Sequence, residues 1–384
     1  MPPPVFECSD DRSPQRLRDL ARTAVDAVGL CKVALMPANA RFGTELRALG
    51  IQLVDPDERP DAVIATIDLP DRGHLGAVAA ALAAQPCATC LVLVRQTGPA
   101  PGAPSLRVAV EQCFLAAGFF KHPAGTRRFG YEGLGDDASE IWALFEPPLR
   151  SPSAMAASLA AERDLHADML REAGERSDAH VVRYELAARH VRPFDTVLDA
   201  ACGLGYGAHV LQTLAPAHGI TGIDASETAI RYATDCYGND ALAFHCGYLP
   251  DALDAHATAS IDFVVSLETL EHVEDPERLL SAFARVLKPG GRIFVSVPND
   301  WADESGEDPN PHHLHVYDWD KLQAQLRRHF IVERAWRLIA SGCKTGTPRQ
   351  WRPHARLLEE LAPDDAVHQD AEWWLVLAMK SPLE

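Results

Sequence analysis

Residues 197–211 read V-L-D-A-A-C-G-L-G-Y-G-A-H-V-L, and no other stretch of the chain restricts its fold as much. A short apolar run ends on Asp199, glycines follow at 203, 205 and 207, and an apolar helical pattern starts at once. That order predicts a strand, a tight turn and a helix. Glycine lets a backbone approach a ligand closely, and the helix behind the turn presents unpaired N–H groups, so the turn can cradle a nucleoside-like cofactor. The spacing is G-x-G-x-G. It departs from the G-x-G-x-x-G of dinucleotide sites and from the G-x-x-x-x-G-K of phosphate loops, which argues against NAD and ATP.

A second apolar strand, 220–223, ends on Asp224, placed to accept hydrogen bonds from ribose hydroxyls. Further on stand Asp262 to Ser266, the triplet Glu271-His272-Val273, and the run R-V-L-K-P-G-G-R-I-F-V-S-V-P-N at 285–299. Taken together these motifs resemble the class I S-adenosylmethionine (SAM) dependent methyltransferases of the type 11/12-like kind, over residues 176–330. The resemblance implies a Rossmann-like α/β sheet with helices on both faces and S-adenosyl-L-methionine as cofactor. It further implies that Asp199, Gly203, Gly205 and Gly207 surround the methionine part and that Asp224 grips the ribose.

At 384 residues, 47% hydrophobic and 23% charged, the chain has the make-up of a soluble protein of two domains. We expect an N-terminal α/β domain at 1–148, a helical linker and cap at 149–192, and the SAM-binding domain at 193–384 with an insertion at 341–370. No apolar run reaches the ~18 to 20 residues that span a bilayer, and the N-terminus lacks a signal-peptide pattern, so a cytoplasmic location is expected. Arginine in excess of lysine and abundant alanine suggest a bacterial source. Nine scattered cysteines fit reduced thiols better than a disulfide framework, and Cys87-x-x-Cys90 has no second pair to complete a zinc site. A net charge of −18 disfavours nucleic acid as a partner and leaves a small-molecule or glycan acceptor. Nothing in the sequence fixes the oligomeric state.

The first half alternates strands and helices: strands at 30–36, 51–55, 61–67, 90–94 and 141–145, helices at 40–49, 73–84 and 105–117. Asp55 ends a second strand as Asp224 does, Asp61-Ala62-Val63-Ile64 echoes Asp262-Phe263-Val264-Val265, and Leu91 to Val94 echoes Ile293 to Ser296. We therefore expect a smaller, degenerate methyltransferase-like sheet. Its first turn, M-P-A-N-A-R-F-G at 36–43, has one glycine and no acid before it, so it should not hold SAM. Helices are expected at 154–173 and 179–190. A strand at 241–245 leads to Cys246-Gly247-Tyr248-Leu249-Pro250, where either Asp251 or backbone groups would read the adenine. The long segment 341–370 is a candidate substrate lid.

Methyl transfer to a hydroxyl needs in-line approach and removal of a proton. Glu268, Glu271 and His272 sit at i, i+3 and i+4 after the fourth strand, on one face of a helical turn, and His312-His313-Leu314-His315 follows downstream. Two carboxylates and two imidazoles suit a divalent cation with open positions. The pattern E-x-x-E-H followed by H-x-(aromatic)-(acid)-W is similar to the metal site of small-RNA 2'-O-methyltransferases, and E-x-x-E-H also occurs in ubiquinone-pathway O-methyltransferases. Resemblance implies Glu268, Glu271, His272 and His315 as ligands of Mg, Mn or Zn, with His313 a substitute ligand or the catalytic base. A plain structural turn is the alternative. The expected function is SAM-dependent O-methylation of a small-molecule or sugar hydroxyl by direct displacement. Alternatives are an RNA 2'-O-methyltransferase and a SAM-binding scaffold without turnover.

Overall fold

A computed structural model describes residues 12–29, 31–70, 72–85, 87–98, 104–135, 138–147, 167–301, 308–346, 349–365 and 370–381. The chain divides into two compact units, Met1–Ser151 with Leu170–Ser177, and Pro152–Met169 with Asp178–Glu384. Most of the helix expected at 154–173 falls outside the described residues. Among those described, no helix is long and apolar enough to cross a membrane.

The first unit holds strands β1 (Lys32–Met36), β2 (Gln52–Leu53), β3 (Ala62–Leu69), β4 (Thr89–Gln96), β5 (Phe120–Lys121) and β6 (Glu140–Glu146). They form one sheet in the order β2-β1-β3-β4-β6-β5, with β6 antiparallel to both of its neighbours. β3 is buried along its whole length, as a central strand covered on both faces must be. A helix the sequence pattern passed over, Pro14–Val28, covers one face. Its signals were local: Ser13 caps it by accepting from the Arg16 N–H, Pro14 stands at the first turn, and Leu17, Leu20, Ala21 and Ala24 recur at helical spacing on the buried side.

The second unit holds β7 (Thr196–Ala200), β8 (Gly219–Asp224), β9 (Leu242–Cys246), β10 (Ile261–Leu267), β11 (Leu287–Pro298), β12 (Ile331–Ile339), β13 (Gly342–Thr345), β14 (Gln350–Pro353), β15 (Leu357–Leu361) and β16 (Trp373–Met379). Eight of them make a sheet in the order β15-β12-β16-β11-β10-β7-β8-β9, parallel from β11 to β9, with β16 antiparallel to β11 and β12. Without β15 and β9 the order is β12-β16-β11-β10-β7-β8, which repeats β5-β6-β4-β3-β1-β2 of the first unit strand for strand and sense for sense. The first unit lacks a β9 counterpart because its chain passes from β2 to β3 through only a short 3-10 turn, Pro56–Glu58, too little for a helical crossover.

The described residues of the segment 341–370 include three strands. The segment carries the β13–β14 hairpin and then β15, which pairs antiparallel with β12 and extends the sheet by one strand. The core of this unit, with Val264, Leu280, Phe283, Ile293, Val295 and Trp374 fully or nearly fully buried, lies between the sheet and the helices Pro276–Val286 and Trp319–Leu326. All the parallel strands therefore present their carboxyl ends along one edge, where Asp199, Asp224, Glu268 and Asn299 stand.

Candidate functional site

The turn after β7 is built on left-handed backbone: Ala201, Gly203 and Gly205 have φ of 62°, 53° and 79°. Asp224, at the end of β8, ties this turn down. Its Oδ2 accepts from the Gly203 N–H at 2.9 Å and its Oδ1 from the Ser226 N–H at 2.9 Å. The glycines differ in purpose. A Cβ on Gly205 would lie 2.6 Å from the Ala233 Cβ, and one on Gly207 only 2.0 Å from the Tyr184 Cζ. Those two positions make room for protein side chains.

Tyr184, on the helix Glu175–Ala188, packs over Gly207 and donates its hydroxyl to Asp199 Oδ1 at 3.2 Å. Asp199 is fully buried, and its Oδ2 has no hydrogen-bond partner. Burial pushes its carboxyl up to about 7, against the lowering effect of the Tyr184 hydrogen bond and with a further push from the Asp224 charge. At the β9 end, Asp251 is exposed and paired with Arg278 at 2.6 Å, while the Gly247 N–H donates to the Asp224 carbonyl.

The second cluster begins where β10 ends. Glu268 has φ of 51°, which turns the chain sharply under the sheet edge. Its carboxylate is committed to the protein: Oε1 accepts from Ser296 Oγ at 2.8 Å and lies 3.1 Å from Arg183, and Oε2 accepts from Trp373 Nε1 at 2.8 Å. Arg183 is wholly buried and stacks 4.4 Å over the Trp373 ring. Glu271 is also wholly buried, yet neither carboxylate oxygen has a hydrogen-bond partner. Burial, and next the Glu268 charge, push its carboxyl well above the ordinary range. The Glu271 carbonyl accepts from the N–H groups of Leu314 and His315, which pins the downstream segment against it.

That pinning selects which histidines meet Glu271. His272 donates Nδ1–H to the His312 carbonyl at 2.9 Å, leaving Nε2 with its lone pair, and burial lowers its pKa so that the neutral ring prevails. His313 lies edge-on to His272, ring centres 4.7 Å apart. Its Nδ1 is 2.7 Å from Asp308 Oδ2 and its Nε2 is 3.0 Å from the Asn310 amide nitrogen. His315 turns away, donating Nε2–H to the Val273 carbonyl at 3.0 Å. Ligand atoms of Glu271, His272 and His313 fall within 4.8 Å of one another. Glu268 and His315, expected beside them, stay outside that group: both Glu268 oxygens and His315 Nε2 are engaged elsewhere in the protein.

Asp308, Asn310 and Arg183 were missed as site residues. Asp308 stands five positions before His313 in a Pro-rich loop with no periodicity to mark it. Arg183 was visible only as part of a packing helix. Trp301 completes the wall, its ring 6.0 Å from His313 and 5.5 Å from Trp373.

Residues 198–295 match the family described as a methyltransferase domain. A probable SAM-dependent methyltransferase of Mycobacterium tuberculosis (strain ATCC 25618 / H37Rv) is 32% identical over 150 residues, covering 38% of this chain and 52% of that protein. A ubiquinone biosynthesis O-methyltransferase of Caulobacter vibrioides is 38% identical over 112 residues, covering 28% of this chain and 43% of that one. The chain thus spans about half the length of the curated relatives it matches. Among solved structures, a putative methyltransferase in complex with the Haloferax volcanii Trm112 activator aligns at a TM-score of 0.42 and 19% identity, over 60% of this chain and 100% of that one. The family match and these relatives agree with the glycine turn between two strand-end aspartates: residues 198–295 are a methyltransferase domain of the SAM-dependent kind.

Proposed function

We propose that the C-terminal unit holds SAM at the β7–β8 edge and transfers its methyl group to a hydroxyl of a small-molecule or glycan acceptor by in-line displacement. Asp199 supports the cofactor half of this reading. A buried carboxylate oxygen without a partner is costly, and the ammonium of the cofactor's amino-acid end would satisfy it. Asp224, fixed by two backbone N–H groups at the end of β8, would grip the ribose hydroxyls. Asp224→Ala should weaken SAM binding by ~1.5 to 3 kcal/mol, and unchanged affinity in calorimetry would remove Asp224 from the site.

The single observation that carries the hydroxyl acceptor is the pairing of Asp308 with His313 beside Glu271 and His272. Asp308 holds the proton on Nδ1 and stabilises the ring once it is charged, so Nε2 is the basic atom. An acceptor hydroxyl would replace the Asn310 amide there and give up its proton as the methyl group arrives. Five of the curated relatives bear the name ubiquinone biosynthesis O-methyltransferase, which supports oxygen as the atom methylated. With 54 acidic against 36 basic residues, an RNA acceptor gains no support.

The same residues fit a divalent cation. Glu271 offers two buried oxygens without partners, and one ring nitrogen each of His272 and His313 lies within 4.8 Å of its carboxylate and of the other. One carboxylate and two imidazoles suit manganese, iron or zinc better than magnesium. Bound there, such an ion would neutralise Glu271 and polarise the acceptor hydroxyl. Methyl transfer should fall in chelator and return on adding manganese or zinc, and the purified protein should carry about one ion per chain by elemental analysis, lost in Glu271→Ala. Activity that ignores the chelator, with no metal in the protein, would leave the Asp308–His313 base alone.

A further inference from the structure

Glu268 and Glu271 follow the end of β10 on one turn of chain, yet the fold uses them differently. Glu271 is wholly buried with both oxygens unpartnered, and a ring nitrogen of His272 and one of His313 lie within 4.8 Å of its carboxylate. Glu268 spends both of its oxygens on Ser296, Trp373 and Arg183. We propose that Arg183 is a positioning residue that decides which metal the cluster takes: by holding the Glu268 carboxylate it limits the site to one carboxylate and two imidazoles, and so selects a zinc-like ion over magnesium. The proposal rests on the reading of the cluster as a cation site, and its test separates the two.

Arg183 is built to keep that carboxylate. It is wholly buried, its Nη1 lies 3.1 Å from Glu268 Oε1, and its guanidinium stacks 4.4 Å over the Trp373 ring. A guanidinium taken out of water needs an anion beside it, because an unpaired buried charge costs far more than a paired one. Trp373 supports both members of the pair, its ring face under Arg183 and its Nε1–H on Glu268 Oε2 at 2.8 Å. The carboxylate is therefore held at one oxygen by Ser296 and Arg183 and at the other by the indole. The backbone of Glu268 agrees with this account. Its φ of 51° is left-handed in a residue that is not glycine, a conformation that the surrounding contacts have to maintain.

Releasing Glu268 would change what the cluster offers a cation. The Glu268 charge acts on both Glu271 and His272, so the carboxylate already stands beside the two of them. With Arg183 in place that charge is cancelled, and an ion meets Glu271 and two imidazoles, a donor set that suits zinc. With Arg183 removed, Glu268 loses its counter-charge and turns to the nearest cation, which adds hard oxygen donors and a second negative charge. Magnesium binds through carboxylate oxygens and gives up its water reluctantly, so it gains most from the added carboxylate. Zinc, served well by the imidazoles, gains least.

The test is calorimetric titration of the full chain, stripped of metal by chelator, with zinc, manganese and magnesium in turn, for the wild type, Arg183→Met, and the double variant Arg183→Met with Glu268→Gln. The wild type should prefer zinc. Arg183→Met should bind magnesium ~tenfold more tightly than the wild type does, and the double variant should return to the wild-type preference. A merely structural Arg183 would weaken all three ions together and leave their order alone. The double variant carries neither charge of the pair, so it keeps the fold even if Arg183→Met, with a carboxylate left unpaired, does not; zinc binding retained there upholds the withdrawal of Glu268. Loss of zinc binding by the double variant would make Glu268 a ligand and overturn the proposal, as would an unchanged metal preference in Arg183→Met. Metal bound by Arg183→Met but not by the wild type would uphold the role of Arg183 and defeat the cation reading of the native protein. No metal in any of the three would defeat both.

Discussion

Asp199 shows how much one buried carboxyl governs. Its folded pKa, about 7, lies above the ordinary 3.8, so the native state holds a proton there that the unfolded chain has already released. This group's contribution to stability is accordingly present below about 3.8 and is lost as pH rises toward about 7. A cationic cofactor favours the charged form and so binds with release of that proton. SAM affinity should climb with pH up to about 7 and level off above it, and Asp199→Asn should flatten the profile. Calorimetry on either side of neutrality checks this; a slope that survives the substitution assigns the titration to another group. Asp308 governs the other cluster through His313. Asp308→Asn keeps a side chain of the same size but can no longer stabilise a charged ring, so kcat should fall by ~10² with acceptor KM little changed. Adding His313→Ala to that variant should cost little more, because both act on one proton.

At the scale of elements, the helix Glu175–Ala188 is coupled to the glycine turn by contact rather than by sequence. Tyr184 occupies the space a Gly207 side chain would need. Gly207→Ala should therefore destabilise the unit by ~1 to 3 kcal/mol and displace Tyr184 from Asp199, weakening the cofactor site as well. Tyr184→Ala should recover part of the lost stability without recovering SAM affinity, a pattern thermal melts and calorimetry can separate. If Gly207→Ala leaves both melting temperature and affinity untouched, the packing account is wrong. β15 illustrates the opposite limit. Its L-L-E-E-L has no clean alternation, since it pairs on only one side and its residues are at most partly buried. Its strand character comes from the β12 edge that it meets.

On the scale of the whole molecule, the two units share an order of six strands but differ in the turn after the first of them. In the first, Asn39 spends its side chain capping the helix Ala40–Ala48 by accepting from the Phe42 N–H, and Asp55 caps a 3-10 turn, its N–H held by Glu58. The turn after β1 has no left-handed glycine, and β2 is two residues long. The full chain should bind one SAM per molecule in calorimetry. Two sites, or one abolished by changes at Asn39 and kept in Asp224→Ala, would place cofactor in the wrong sheet.

The sequence by itself determined what local chemistry dictates: the strand, turn and helix around Gly203, the strand-end aspartates, and the alternation of strands and helices in the first unit. Periodicity and turn residues act within a few positions, so they survive in the sequence. Only the tertiary structure decided which of Glu268, Glu271, His272, His313 and His315 face one another. Spacing put Glu268 and Glu271 on one face of a turn, but Arg183, Ser296 and Trp373, distant in the chain, had already taken the Glu268 carboxylate. In the same way the Glu271 carbonyl, by binding two backbone N–H groups across 43 and 44 positions of the chain, set His313 inward and left His315 to the Val273 carbonyl. Side-chain partnership is settled by contacts between segments, and such contacts exist only once the sheet has brought the segments together.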